Sequence, residues 1–416
     1  MNNLLKIGKS ILRKSVRLLA YIVLSPIAIP FFLLKIRFFE IGLDERIGHL
    51  AYEPDLYLKT GILGWRPKYW AVLLAQSNQM VNKCLIDYWS KHISVIRHPL
   101  LVKFLRPFVS IKYLKAHYPV LPNGFHTNKA LRVAQARYEA VCGGTPLLTL
   151  SAEHRARGWQ CLQSSGVPRD AWFVCLHVRE AGYLPELKCH SYRDADVMTY
   201  LPAIKFIVSR GGWVIRMGDP TMKPLPPLPQ VIDYAHSPVR SDWMDIFCCA
   251  QCRFLLGTNS ELFLVSYVFG VPGALTNFTP AAETPYSQKD LFIPKLYYSE
   301  IEKRMVSFQE LFDKKLSYTY RSELFDEAGI ILIDNSEEEI LDFTKEMLER
   351  LNGTVTYTPH DQFFQEQWKT LILTNGAYPS NSRLGKDFLR NYADLIIGHN
   401  CERESDIDIT GKQKIG

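Results

Sequence analysis

From Asp170 onward the chain alternates short apolar runs with amphipathic stretches. WFVCLHV has the length and continuity of a strand buried on both faces. DADVMTYLPAIKFIVSRGG places Val197, Leu201, Ile204 and Val208 on one helical face, with Gly211 and Gly212 as its stop. Pro202 either kinks that helix or marks its true start. WVIRMG, VIDYA, the helix-like SDWMDIFCCAQC, RFLLGT, a second apolar helix and PGALTN continue the series. GIILI and a helix over Asn335–Leu351 follow, with Ser336 three residues before Glu339 as a capping box and Asn352-Gly353 as its end. Strand and helix in strict alternation predict a doubly wound parallel sheet.

Nearer the N-terminus, FFEIGLDERIGHLAYEPDLYL, YWAVLLA, QSNQMVNKCLIDYWSKH and ISVI give a shorter strand and helix order, a second α/β unit. The stretch from His98 to Asn123 is irregular. RIGHLAYEPD reads as a tight loop around Gly48 that carries His49 and Glu53. The first residues differ again: Lys6, Lys9, Arg13 and Arg17 recur at steps of three and four opposite Leu5, Leu12, Val16 and Leu19. That basic amphipathic helix enters an uncharged run, Leu18 to Leu34, of 17 residues. This is the short limit of a membrane span, and Pro26 and Pro30 interrupt it. Positive charge flanks both sides, so an interfacial monotopic anchor is expected rather than a span. The expected organisation is an anchor over 1–37 and an acceptor-side α/β domain over 38–165. A nucleotide-sugar-binding α/β domain over 166–350, helices packing back over 351–398 and a flexible tail over 399–416 complete it.

Charge sharpens this division. The 416 residues carry a formal +7, and residues 1–37 hold seven basic side chains and no acidic one. Taking those seven from the 49 Lys and Arg leaves 42, equal to the 42 Asp and Glu. Nucleic acid is therefore not an expected partner, whereas anionic inner-membrane lipid at the cytoplasmic face is. The nine cysteines are scattered and odd in number, as suits a reducing compartment. Cys248, Cys249 and Cys252 read as small buried hydrophobes, and no metal site is expected.

Candidate chemistry collects at strand ends. Gly257-Thr258-Asn259-Ser260 joins an apolar strand to a helix, where free backbone N–H groups, hydroxyls and the helix dipole attract an anion. Asn259 or Ser260 could equally serve as an ordinary helix cap. His177 and Arg179 end one strand on a common side, and Arg216, Gly218 and Asp219 end another. Arg216 and Asp219 could also form a plain ion pair. Three polar strand ends at one sheet edge favour a phosphate-bearing ligand. Asp194-x-Asp196 offers a metal-dependent alternative, set where a helix begins and not at the end of an apolar strand.

The run HVRE, HSYRDAD, RGGWVIRMGDP, VIDYAHS, SDWMDIFCCAQCRFLLGTNSE and FGVPGALTN, with RIGHLA before it and SRLG after, resembles a family of bacterial glycosyltransferases found with surface-polysaccharide genes. More distantly, the His-x-Arg strand end resembles the fucosyltransferase superfamily. The resemblance implies the GT-B fold, two Rossmann-like domains around a cleft. It implies transfer of a sugar from a nucleotide-sugar donor, without a metal ion or other cofactor, to a glycan or lipid-linked acceptor. By it, Arg179 matches the arginine that binds the donor diphosphate, and Thr258, Asn259 and Ser260 match the phosphate loop. Asp219 and Asp242 match ribose or base contacts. The acceptor side then falls to His49 or Glu53 as the general base. Two other classes remain open, a non-catalytic nucleotide-sugar-binding component and a membrane scaffold of a polysaccharide assembly complex.

Overall fold

The computed structural model describes residues 26–41, 45–75, 80–111, 113–116, 127–180 and 188–397. The expected basic amphipathic helix and the tail after Gly398 lie outside them. Helix covers 26–33, and no helix among the described residues is long and apolar enough to cross a membrane.

The N-terminal sheet is parallel and three-stranded, in the order β1 (Ile36–Phe39), β2 (Trp70–Leu74), β3 (Ser94–Ile96). Between β1 and β2 stands the helix Ile47–Ile62, and here the loop expected around Gly48 is corrected. Gly48 lies in the first turn of that helix, and Pro54 lies inside it. Residues Leu50 to Tyr57 are all buried, so no polar face survives to betray the 3.6-residue period. The irregular stretch after His98 also contains a helix, Pro99–Val109, which opens on a proline at its first position.

The second sheet has seven parallel strands in the order β13, β9, β8, β7, β4, β5, β6. β4 is Phe173–His177, β5 Trp213–Arg216, β6 Val231–Ile232, β7 Leu255–Gly257, β8 Gly273–Phe278 and β9 Leu291–Pro294. All five residues of β4 are buried, as helices on both faces require. The helix after β4 starts at Leu201, with Pro202 in its first turn and a 3₁₀ turn, Val197–Tyr200, ahead of it. Proline marks a start there, not a kink. A small antiparallel sheet of β10 (Leu296–Ser299), β11 (Arg304–Met305) and β12 (Ile330–Ile333) follows. Helix Glu337–Asn352 carries the expected capping box, with Gly353 left-handed after it. β13, Arg383–Leu384, returns to the edge beside β9.

Helix Ala152–Ser164 packs on the larger sheet, where Trp159 meets Phe173 and Phe247 edge-on. One apolar core runs from Phe39 and Leu50 through β4, β7 and β8 to Trp368. Helices Ile47–Ile62 and Glu261–Val268 cross in close contact along this core, and their crossing shapes the cleft described next.

Candidate functional site

The first strand of the large sheet is β4, with β5 and β6 on one side of it and β7, β8 and β9 on the other. The order in which strands are added therefore reverses between β4 and β7, and the connections leaving the ends of those two parallel strands part to opposite sides and open a crevice. His177 pairs in register with Gly257 at that point. A Cβ on Gly257 would stand 1.9 Å from the His177 carbonyl oxygen, and its φ of +146° suits glycine alone. The Thr258 amide donates to the His177 carbonyl at 3.1 Å, and the Thr258 hydroxyl accepts from the Arg179 amide at 2.9 Å. Thr258 thus stitches the two strands together.

Beyond this stitch opens a cavity of about 320 Å³, lined by Asn259, Ser260 and Glu261 from one side and by Arg46, His49 and Tyr52 from the other. The helix Glu261–Val268 points its N-terminus there. Ser260 is its cap residue, yet its buried hydroxyl makes no hydrogen bond, and neither does the Asn259 side-chain oxygen. Asn259 donates instead to the Thr279 carbonyl, which holds its amide in place. An undercapped helix start beside orphaned hydroxyl and amide oxygens is a receptor for a polar ligand, and the dipole favours an anion.

A second helix start faces the first. The Glu261 carboxylate accepts from Arg46 at 3.1 Å and from the Gly48 amide at 3.4 Å, so it caps the helix Ile47–Ile62 from the neighbouring helix. Gly48 is required by this crossing, since a Cβ would stand 2.8 Å from the Glu261 Cβ. With Glu261 satisfying that helix, the start beside Ser260 is the one without a side-chain cap. Arg193 supplies positive charge at the cavity wall, where its buried Nε makes no hydrogen bond, while burial and the neighbouring arginines push the adjacent His190 imidazole down towards its neutral form. Glu283 lines the far wall, ion-paired with the buried Arg132 at 3.0 Å and bonded by the Tyr320 hydroxyl.

One helical turn separates His49 from Glu53, and their side chains meet: Nδ1 lies 2.7 Å from the Glu53 carboxylate, with the Tyr52 hydroxyl 3.1 Å from the same nitrogen. Glu53 is buried, while His49 lines the cavity. A carboxylate on Nδ1 fixes the tautomer that leaves Nε2 free to take a proton from a bound hydroxyl.

The other expected site residues take different places. Arg179 does not line the cavity: its guanidinium donates to the His190 carbonyl and to Asp194, beneath the 3₁₀ turn Lys188–Arg193. Burial and the adjacent Arg216 push the His177 imidazole down to about 4, leaving it neutral, and its buried Nδ1 has no hydrogen bond. Arg216 is fully buried against Asp233 and the Lys223 carbonyl, not paired with Asp219. Asp219 closes its own turn on Thr221, and Gly218 packs its bare Cα against Met222. Asp242 heads the helix Asp242–Gln251 and accepts from the Lys83 amide, so it is not brought to the cavity. Of the Asp-x-Asp pair, Asp194 is held by Arg179, and Asp196 caps Met198 and lies 3.5 Å from Lys223. Among the described residues no group of three or more His, Cys, Asp or Glu converges on a metal-sized site.

Arg46, Arg193, Glu261 and Glu283 were not singled out by sequence reading. Arg46 stands in RIGHLA and Arg193 in HSYRDAD, beside residues that were.

These features define an α/β protein with its cleft at the switch point of a parallel sheet, between two helix N-termini. No family model matches the chain, and no curated protein matches it. Among solved structures it is similar to a glycosyl transferase of family 9 from Veillonella parvula, with TM-score 0.42 and 11% identity over 76% of this chain and 97% of that one. It is also similar to the ADP-heptose LPS heptosyltransferase II of E. coli, with TM-score 0.42 and 14% identity over 76% and 99%. A third, the iron-containing dodecameric glycosyltransferase TibC of enterotoxigenic E. coli, gives TM-score 0.31 and 15% identity over 60% of each chain.

Proposed function

We propose that the chain is a glycosyltransferase that moves a sugar from a nucleotide-sugar donor to a hydroxyl of a glycan or lipid-linked acceptor. The observation that carries this reading is the cavity itself. An imidazole held by a buried carboxylate faces a helix start with unused polar atoms, the two groups that such a reaction needs on opposite sides of the anomeric carbon. His49 Nε2 takes the acceptor proton as the acceptor oxygen bonds to that carbon. The bond from the carbon to the donor phosphate breaks, and its electron pair leaves on the diphosphate. Charge growing there meets the amides around Ser260, together with Arg193. Glu53 is a positioning residue, since it acts through His49. The sequence resemblance across residues 172–280 supports the same class of reaction.

Arg179 has a changed role in this proposal. Bonded to Asp194 and to the His190 carbonyl, it holds the turn that presents Arg193, so it shapes the diphosphate wall from behind. Because Asp194 and Asp196 are both engaged by cations, transfer is expected to continue in EDTA.

A thermal-shift panel of nucleoside diphosphates, followed by turnover of the matching nucleotide sugar, tests the reading. At least one diphosphate should raise the melting temperature. His49→Ala should keep that shift and lose about 10²-fold or more in kcat, as expected when a general base is removed. Ser260→Ala should weaken nucleotide binding by about 1 kcal/mol, the worth of one neutral hydrogen bond. No shift with any nucleotide would leave the scaffold class, and a shift without turnover the binding class. Activity abolished by EDTA and restored by Mg²⁺ would return Asp194 and Asp196 to the reaction.

A further inference from the structure

Two segments far apart in sequence build one exposed apolar face on the small sheet. Helix 26–33 packs through Phe31 against Phe38 and Phe108, with ring centroids 5.1 and 5.6 Å apart. Phe108 belongs to the helix Pro99–Val109, whose inner side of Val102, Leu105 and Phe108 is buried. The outer side of that helix exposes Leu100, Leu101 and Phe104, and helix 26–33 and the turn after it expose Ile29, Leu33 and Leu34. These six side chains are between 51% and 72% open to solvent, in a molecule whose other apolar residues largely form one core. Large apolar side chains left open on two helices that pack together through Phe31 and Phe108 mark an interaction surface.

Charge and rim identify the partner. The sequence has no Asp or Glu from residue 1 to 39 or from 88 to 138, the two stretches that supply this face. Lys35, Lys103, Arg106 and Lys115 stand exposed among the apolar groups. The flanking carboxylates are already engaged, Glu40 by Arg106 and Asp87 by Arg97. Trp70, 61% exposed, borders the face where its amide bonds to the Lys35 carbonyl, and Tyr113 stacks edge-on with Phe32. Leucine and phenylalanine tips, a lysine fringe and amphipathic aromatics at the border are the elements of an interfacial membrane contact. The uncharged run Leu18–Leu34 leads directly into it.

We infer that this face, built jointly by helix 26–33 and the helix Pro99–Val109, docks on an anionic phospholipid bilayer. The contact thus extends beyond the N-terminal segment to a helix more than sixty residues downstream. It is argued from surface chemistry and does not depend on the reaction proposed above.

The test uses the full chain with vesicles of phosphatidylcholine alone or with one quarter phosphatidylglycerol. Photoactivatable phosphatidylglycerol should label peptides containing Leu100–Phe104 as well as those containing Ile27–Leu34. The triple variant Leu100→Ser, Leu101→Ser, Phe104→Ser should partition to anionic vesicles at least tenfold less, with an unchanged melting temperature. Lys103→Gln with Lys115→Gln should lose several-fold on anionic vesicles only, an effect that grows as salt is lowered. Labels confined to residues 1–25, or undiminished partitioning of the serine variant, would overturn the inference. A lipid-independent dimer that the serine variant dissolves would overturn it too, in favour of a second copy as the occupant.

Discussion

Gly257 sets the geometry of the cleft at the smallest scale. Between β7 and Thr258 the chain must turn hard against β4 while keeping the Thr258 amide on the His177 carbonyl, and only a residue without Cβ has room. Gly257→Ala meets a backbone carbonyl, which cannot rotate away as a flexible side chain would, and a left-handed φ as well. A loss of about 3 kcal/mol or more is expected in chemical denaturation. Gly218→Ala is the fitting comparison, because its nearest obstacle is the movable Met222 sulfur, so it should cost less. Equal stability of Gly257→Ala and the parent protein would show that β4 and β7 do not approach as described. At this scale sequence was informative about type and weak about role. Glycine, threonine, asparagine and serine after a strand announced a close approach and a helix start. It could not show that Thr258 bonds inward to Arg179 while the buried Ser260 hydroxyl is left without a hydrogen bond.

Helices decide which of these residues share a cleft. The element hardest to read, Ile47–Ile62, is the one that brings His49, Glu53 and Arg46 to the switch point. It escaped because it is buried nearly all round and carries two glycines and a proline, of which Gly48 makes room for the crossing with Glu261. Elements with one wet face, such as Glu337–Asn352, were legible from period and caps. The doubly wound alternation was legible as well, whereas strand order, and with it the switch point, depends on long-range pairing that no local pattern records. The same helix is tied to its neighbours by a buried polar knot. Lys59 donates to Asp55 at 2.6 Å, to the Gln135 side-chain carbonyl at 2.7 Å and to the Tyr267 hydroxyl at 3.1 Å. Asp55 is fully buried, and burial pushes its carboxyl above the usual range against the pull of Lys59. Lys59→Met should therefore cost about 3–5 kcal/mol, because it strands a carboxylate inside the protein. Adding Asp55→Leu should recover much of that loss, since paired removal deletes the uncompensated group. Additive losses in the double variant would mean that the two charges are not coupled.

Over the whole molecule, buried titratable groups give stability a slope with pH. Burial pushes Asp290 and Glu346 up to about 7 and Asp245 up to about 6, although backbone or hydroxyl donors bond to each. A carboxyl whose folded value lies above its unfolded one contributes fully below about 4, and the contribution fades as pH rises through the folded value. His177 acts in the opposite sense: pushed down to about 4, it contributes above about 6.5 and loses that contribution as pH falls. Above about 4.5 these three carboxyls, with Asp55 and Asp194 also pushed up by burial, oppose the lowered imidazoles of His177, His154 and His190, so stability should fall as pH rises. Between about 6.5 and 7 the imidazoles no longer offset Asp290 and Glu346, and the fall persists until both have ionised. Glu346→Gln isolates one group, because an amide can still accept from the Lys386 amide and meet the Tyr357 hydroxyl. Denaturation at pH 6 and pH 8 should show the parent protein weaker at the higher pH. The variant should narrow that gap by on the order of 1 kcal/mol, because most of the effect of a displacement from 4.5 to about 7 is already spent below pH 6. A gap of the same size in both proteins would show that Glu346 ionises as readily in the folded chain as in the unfolded one.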